Sequence, residues 1–318
     1  MPSGLNIAVV IPCYRVKSHI NDVLNNIGPE VNRIYVVDDA CPESTGKMVV
    51  ETNRDSRLKV LFHSQNQGVG GAVRTGYLQA LMDGMDVIVK IDGDGQMDPN
   101  LILTIARPVL AGRADYSKGN RFSNLESMLK MPKVRLIGNA FLSLMTKFSS
   151  GYWSITDPTN GFTAIHRKAL EAIDLQKIRT SYFFESDMLF RLNIANCVAV
   201  DIPMNSVYGQ EKSNLKIHKV MLEFPRLHLV NFFKRLVYRY YLREWSVGSF
   251  ELPIGFGLLG FGVVFAMQSY QLAVSIGSAT TAGQAMASAV AVILGAQLLL
   301  SFLALDVQSE PRVPRQSL

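Results

Sequence analysis

Four short runs rich in Val, Ile and Leu recur through the first third of the chain: Leu5 to Ile11, Arg33 to Val37, Leu58 to Phe62 and Val87 to Ile91. Between them lie segments with helical periodicity, near Ser18 to Ile27, Ser44 to Thr52 and Ala72 to Met82. Strands without polar alternation are buried on both faces, so the spacing predicts a parallel sheet covered by helices. In such sheets ligands bind beyond the carboxyl ends of the strands. The residues that follow each strand are therefore the ones to read.

The far end of the chain follows a different pattern. Leu252 to Leu305 contains no Asp, Glu, Lys, Arg or His, and a spanning helix needs only about 20 apolar residues. The stretch divides at Gly277 to Gln284, predicting spans over Leu252 to Ile276 and Ala285 to Leu305 joined by a polar turn. A soluble core hairpin is the alternative, but neither segment shows a polar face. Lys234, Arg235, Arg239 and Arg243 precede the first span, and Arg312 and Arg315 follow the second. The excess of positive charge at both ends predicts that both lie in the cytoplasm. Upstream, Lys212 to Arg243 carries Lys212, Lys216, Lys219, Arg226, Lys234, Arg235, Arg239 and Arg243 against Glu223 alone. Ile217, Val220, Met221 and Phe224, and after Pro225 Leu229, Phe233, Leu236 and Tyr240, recur at helical spacing. Two amphipathic helices on an anionic membrane face are expected, with a basic solvated helix as the alternative.

The expected organisation is a soluble domain over 1–210, juxtamembrane helices over 211–248, a two-helix membrane hairpin over 249–306 and a tail over 307–318. The 318 residues have 18% charged side chains, low for a soluble protein, and a net charge of +6. That balance favours an anionic partner. Nucleic acid is not expected, because the basic cluster abuts the spans and carries no recognition motif. Cys13, Cys41 and Cys197 are odd in number and far apart, fitting neither a disulfide framework nor a metal cluster, and point to a reducing compartment. No cleavable leader is expected, since Leu5 to Ile11 has no basic flank and runs into Pro12.

After the first strand come Pro12, Cys13 and Tyr14; after the second, Asp38 and Asp39. The third is followed by His63 and the glycine-rich Asn66 to Arg74, the fourth by Asp92-Gly-Asp94-Gly-Gln96-Met-Asp98-Pro99. Asp92 and Asp94 are two apart in an extended segment and can face one cation, with Gly93 and Gly95 permitting the turn. Oxygen ligands of this kind suit Mg²⁺ or Mn²⁺, leaving positions for substrate phosphates. Asp98 before Pro99 reads as a helix N-cap. Gly68 and Gly70 complete neither a dinucleotide fingerprint nor a P-loop. Arg74, one turn into the next helix, brings a cation near the same edge.

Taken in order, Ile11-Pro-Cys-Tyr14, Val37-Asp-Asp39, Asn66 to Arg74, Ile91 to Gln96, Gly119-Asn-Arg121-Phe122, Asp157-Pro-Thr-Asn-Gly161-Phe162 and Phe184-Glu185 resemble the family 2 inverting glycosyltransferases. The similarity is to their polyisoprenyl-phosphate branch, which includes dolichyl-phosphate mannose synthase and bacterial two-span undecaprenyl-phosphate sugar transferases. Gly93 and Gly95 replace the commoner Ala and Leu, and Gln210 to Leu215 matches only loosely. The resemblance implies a nucleotide-sugar-binding GT-A-type, Rossmann-like α/β domain followed by interface helices and a transmembrane hairpin in a bacterial inner membrane. It implies that Pro12, Tyr14 and Asp39 meet base and ribose, with Gly70, Arg74 and Glu185 also in the nucleotide-sugar site. Mg²⁺ or Mn²⁺ on Asp92, Asp94 and Gln96 would bridge the diphosphate, with Asp94 and Gln96 the direct ligands. Arg121 and Arg135 become candidates to grip phosphate oxygens bidentately, and Lys212 a residue on the acceptor side.

The implied acceptor is a polyisoprenyl phosphate, undecaprenyl or dolichyl, whose dianionic phosphate needs no strong general base. Asp157 would orient acceptor or donor. Glu185 and Asp187 could meet the sugar or favour a helix N-terminus, and Asp187 reads as structural. Two other readings remain: transfer to a glycolipid hydroxyl, which would need a base, and an inactive membrane scaffold. Gly255, Gly257, Gly260 and Gly262 could let spans pack closely in a homo-oligomer.

Overall fold

In the computed structural model, residues 4–123, 133–204 and 217–317 are described. Seven strands form one sheet: β1 (Ile7–Cys13), β2 (Arg33–Asp38), β3 (Leu58–Phe62), β4 (Val87–Lys90), β5 (Tyr116–Asn120), β6 (Thr163–His166) and β7 (Ala199–Pro203), in the order β3-β2-β1-β4-β6-β5-β7. The four strands expected from the sequence are present and mutually parallel. The sheet as a whole is mixed, because β6 pairs antiparallel with both β4 and β5, while β5 and β7 are parallel. The expectation of burial on both faces holds for β1, β2 and β4 but not for β3, an edge strand with exposed Lys59 and Phe62.

Helices α1 (Ile20–Asn25), α2 (Thr45–Thr52) and α4 (Ile102–Leu110) cover one face; α3 (Val69–Met82), α6 (Arg167–Ala172) and α7 (Phe184–Ile194) cover the other. Ile7, Val9, Ile11, Val36, Val87 and Val89 form the first core with Ile20, Val23, Val49 and Ile105. Ala8, Val10, Tyr35 and Ile88 form the second with Val73, Tyr77, Phe184 and Leu189. Each fully buried aliphatic side chain contributes about 1.5–3 kcal/mol, which makes the central strands a stiff base for the loops at their carboxyl ends. Asp98 behaves as its spacing predicts: its carboxylate accepts from the Asn100 N–H at 3.0 Å, with Pro99 opening the turn.

By internal packing the chain divides into two units, Met1–Phe233 with Pro311–Leu318, and Lys234–Glu310. In the first, α5 (Lys133–Ser150) precedes β6, and α8 (Ile217–Val237) follows β7. Pro225 lies inside α8, so one helix stands where two were expected. The tail is bonded to this unit: the Asp115 carboxylate accepts from the Arg315 and Gln316 backbone N–H groups at 2.8 and 2.9 Å.

The second unit contains a π-helical turn, Tyr238–Arg243, and two long apolar helices, α9 (Val247–Ser275) and α10 (Ala282–Gln308), each long enough to cross a membrane. Gly277 takes a positive φ of 66° at the turn, and Thr281 with Gln284 forms a capping box that restarts the helix. Gly255 and Gly262 lie against α10, where a Cβ would meet Leu299 and Val292; Gly257 and Gly260 have open space. Two of the four small residues thus serve packing within the hairpin. Arg235, expected among the basic residues of an amphipathic helix on the membrane face, and Tyr240, expected in its apolar stripe, are both buried. The Arg235 guanidinium grips Asp306 bidentately at 2.7 and 3.0 Å, and Tyr240 donates to the same carboxylate at 2.8 Å. A charge removed from water needs such a partner.

Candidate active site

The carboxyl ends of β1, β2 and β4 carry the expected residues to one edge. Pro12 pairs with Val37 near the end of β1, and Tyr14 is exposed beyond it with the Arg15 guanidinium 5.4 Å from its ring centroid. Arg15, Ala40 and Ser44 all hold φ between 52° and 58°. For non-glycine residues such a backbone costs about 1–3 kcal/mol each and is typical of ligand-binding edges.

Asp38 and Asp39 turn inward. Asp38 accepts from the Cys41 and Gly46 N–H groups at 2.7 and 2.6 Å, holding the loop into α2. Asp39, expected at the ribose, accepts instead from the N–H groups of Gln67 and Gly68 at 2.8 Å each and from His63 Nδ1 at 2.6 Å. Its carboxylate anchors the glycine-rich loop, and His63 Nε2 in turn lies 2.8 Å from Thr75 Oγ1 on α3.

Gly70, expected at the nucleotide sugar, has its Cα packed on the loop before α7. A Cβ there would strike the Arg179 carbonyl oxygen, and the Gly70 N–H donates to the Thr180 carbonyl at 3.0 Å. Asp187 holds that loop from the other side, accepting from the Arg179 N–H at 3.0 Å and Arg191 Nε at 2.9 Å, which makes it structural as its position implied. Arg74 donates to Gln67 Oε1 at 3.2 Å, so its guanidinium sits over the loop at the site edge.

After β4 the chain turns through Gly95 at φ 76°, and Asp94 Oδ1 accepts from the Gln96 N–H at 3.0 Å. His19 lies beside this turn, 3.7 Å through Nδ1 from where a Gly95 Cβ would be. Asp92 is engaged from below: Lys90 Nζ, 1% exposed, lies 2.7 Å from Asp92 Oδ1 and 3.6 Å from Glu185 Oε1. Burial would lower the Lys90 pKa, yet the two carboxylates hold it well above the ordinary lysine value. Asp92 and Glu185 are therefore brought together, but through an ammonium. No group of three or more His, Cys, Asp or Glu side chains poised for a metal occurs among the described residues. What the edge offers is Asp94, Gln96 and the half-buried Asp92, an oxygen set suited to a small divalent cation whose other positions are filled by phosphate.

Lys90 was missed in the sequence, although a lone charge inside Val87 to Ile91 is its signal. It opens a row of buried polar groups running across the sheet, since Lys90 is in register with Thr163, Thr163 with Lys118, and Lys118 with Asp201. Lys118 donates to the Asn160 carbonyl, and its burial lowers the ammonium pKa to about 8. Burial raises Asp201 to about 6, although its Oδ2 accepts from the Thr156 N–H and Asn120 Nδ2.

Arg121, expected to hold phosphate bidentately, gives that geometry to Asp157. Its Nε is 2.8 Å from Oδ2 and one terminal nitrogen 3.0 Å from Oδ1, and the Arg121 N–H adds a third bond. Asp157 is fully buried, Arg121 partly exposed. The carboxylate thus aims a guanidinium at the site. Arg135 lies in the first turn of α5, with its side chain outside the described residues, and Lys212 falls outside them altogether.

Residues 8–174 match the family model for glycosyl transferase family 2. The chain is 30% identical over 237 residues to a UDP-N-acetylglucosamine–dolichyl-phosphate N-acetylglucosaminyltransferase of Methanococcus voltae, covering 69% of this chain and 92% of the relative. It is 30% identical to an undecaprenyl-phosphate mannosyltransferase of Micrococcus luteus, covering 64% and 84%. In fold it is similar to glucosyl-3-phosphoglycerate synthase of Mycobacterium tuberculosis, solved with Mn²⁺, UDP and glucosyl-3-phosphoglycerate, at a TM-score of 0.53 and 17% identity over 73% of this chain and 80% of that one.

Proposed function

The chain belongs to glycosyl transferase family 2, and on that footing we propose that it transfers a sugar from a UDP- or GDP-linked donor to a polyisoprenyl phosphate at a membrane surface. The observation that carries this reading is the joining of Asp92 and Glu185 through Lys90 at the carboxyl edge of the sheet, two residues before Asp94, in a chain that continues into two membrane-length helices. The relatives from Methanococcus and Micrococcus act on dolichyl and undecaprenyl phosphate by name, and that acceptor chemistry suits this site.

Tyr14 is exposed at the edge and available to a base or ribose, while Asp39 acts by holding the loop beneath it. Asp94 and Gln96 would hold Mg²⁺ or Mn²⁺, with Asp92 held by Lys90 beside them. A bound divalent cation would neutralise charge on the departing diphosphate. Asp157 is sealed from solvent and bonded to Arg121, which suits an orienting group better than a base. A phosphate acceptor needs no base, whereas a glycolipid hydroxyl would, and this favours the phosphate reading. Direct displacement by the phosphate oxygen inverts the anomeric centre, so an α-linked donor yields a β-linked lipid phosphate.

Residues on both sides of Lys234–Glu310 belong to the soluble unit, with the tail bonded to Asp115. That connectivity supports a hairpin with both ends on one membrane face. With the flanking positive charge, the face is the cytoplasmic one. The test is incubation of membranes with labelled UDP- and GDP-sugars and undecaprenyl or dolichyl phosphate. We expect organic-phase label that requires Mn²⁺ or Mg²⁺ and is lost in Asp94→Ala. Label that enters only a glycolipid, or none with any donor, would overturn the reading, as would an α-linked product by NMR.

A further inference from the structure

Two lysines are buried in the sheet, and they differ in what meets their charge. Lys90 lies between the Asp92 and Glu185 carboxylates. Lys118, on the same polar row, is fully buried, forms no ion pair among the described residues and donates to a neutral acceptor, the Asn160 carbonyl. An ammonium taken out of water without a carboxylate is costly to fold around, and a methionine would fill the space without that cost. Buried charges of this kind gather where a site uses them.

Asn160 ends a turn that begins at Asp157, and Arg121 reaches the same turn from the site. The Arg121 guanidinium grips Asp157 and lies 3.3 Å from Thr159 Oγ1. One turn therefore meets two cations, Lys118 from within the sheet and Arg121 from its edge. The chain on either side is bonded too: the Thr156 N–H donates to Asp201 at 2.7 Å and the Phe162 N–H to Asn160 Oδ1 at 3.0 Å. We propose that Lys118 is a positioning residue for sugar transfer: through the Asn160 carbonyl its buried ammonium sets the turn 157–160, and with it the height at which Asp157 presents the Arg121 guanidinium to phosphate oxygens.

The bond is charge-assisted only while Lys118 is protonated. Glu185 of α7, Asp157 of the turn and Asp201 of β7 favour the ammonium, Lys90 of β4 opposes it, and burial outweighs them, bringing the pKa to about 8. Tyr77 of α3 and Tyr116 of β5, on the same face, are pushed up by burial and stay neutral. Lys147 of α5 bonds the Trp153 and Ile155 carbonyls just upstream. Lys118 is thus the group here that loses its charge as pH rises through about 8, where Asp201, at about 6, is already ionised.

The inference rests on the proposed sugar transfer, and its test has one arm that does not. In the first arm the full-length protein in nanodiscs transfers labelled sugar to undecaprenyl phosphate between pH 6.5 and 9.5. Parent protein is compared with Lys118→Met, a side chain of similar length without a donor. The parent kcat/KM should fall above about pH 8, since that ratio reports the free enzyme. Lys118→Met should be lower by about tenfold at pH 7 and should lack the fall. A raised KM for the lipid phosphate alone assigns the guanidinium to the acceptor, and a raised donor KM alone assigns it to the diphosphate. A parent profile flat to pH 9.5, or a fall that persists unchanged in Lys118→Met, overturns the proposal.

The second arm is hydrogen exchange by mass spectrometry at pH 7 without donor or acceptor. Peptides spanning 156–163 should exchange several-fold faster in Lys118→Met than in the parent, with peptides from α4 unchanged. Equal exchange means that the turn stands without Lys118 and overturns the proposal as well. If no donor supports transfer in the parent, the functional reading fails by itself, and exchange still decides whether Lys118 sets the turn. Lys118→Gln, which keeps a neutral donor, replaces Lys118→Met in both arms should the latter fail to fold.

Discussion

Lys90 and Asp92 form an ion pair at 2.7 Å in which the ammonium is buried and the carboxylate half open to the site. The pair lies across the end of β4, and its second carboxylate, Glu185, comes from the first turn of α7. Without the ammonium two negative groups would face one another where a diphosphate is expected. Lys90→Met should therefore lower kcat/KM for the donor by about 10²-fold through displaced carboxylates. The loss in folding stability should be about 1–3 kcal/mol, held to that range because water can reach Asp92. Steady-state kinetics beside thermal melts check this; unchanged kinetics with a lowered Tm would reduce Lys90 to a structural role.

Asp157 and Arg121 should behave as one unit. Asp157→Asn and Arg121→Lys each remove the charge-assisted bidentate contact, so the double variant should be little worse than either single one, with a coupling of about 1 kcal/mol or more. The pH–rate profile of Asp157→Asn should keep its shape. Disappearance of its acidic limb would show that Asp157 takes a proton after all, and would revive a hydroxyl acceptor.

Much of this edge could be read from the chain because strand ends in a parallel sheet have a predictable place. Val87 to Ile91 located the strand, and with it Asp92 and Asp94. The partners were less legible. Lys90 is four residues from Asp94 in sequence, but its contact with Glu185 spans two elements and depends on α7 packing over the sheet. Arg121 looked like a phosphate ligand because nothing local revealed that residue 157 would return beside it. Leu236 and Tyr240 have helical spacing with Leu229 and Phe233, yet the first pair is buried and the second exposed. Periodicity identifies a helix and a stripe, whereas the neighbours decide which way the stripe faces. Strands β5, β6 and β7 were not anticipated, since Tyr116 to Asn120 and Thr163 to His166 mix polar groups into a buried ladder that only their cross-strand partners satisfy.

Gly70 offers a direct separation of packing from ligand binding. With the Arg179 carbonyl against its Cα, Gly70→Ala must push apart α3 and the loop before α7. The expected cost is about 1–3 kcal/mol, seen as a lower Tm without ligand. A normal Tm with a raised donor KM would instead return Gly70 to the nucleotide-sugar site.

The pH dependence of stability should contain two opposed contributions of similar size. Burial lowers His228 to about 4, below an unfolded value near 6.5, so its contribution is present above pH 6.5 and is lost as pH falls toward 4. Burial raises Asp201 to about 6, above an unfolded value near 3.9, so its contribution is present below pH 4 and is lost as pH rises through 6. Each amounts to about 3 kcal/mol at most, and acidification from pH 6.5 to 4 trades one for the other. His228→Asn should therefore become more stable on acidification relative to the parent, and Asp201→Asn less stable. Melting midpoints of the three proteins across pH 4–7 decide the matter, and parallel curves would mean that neither group titrates differently on folding.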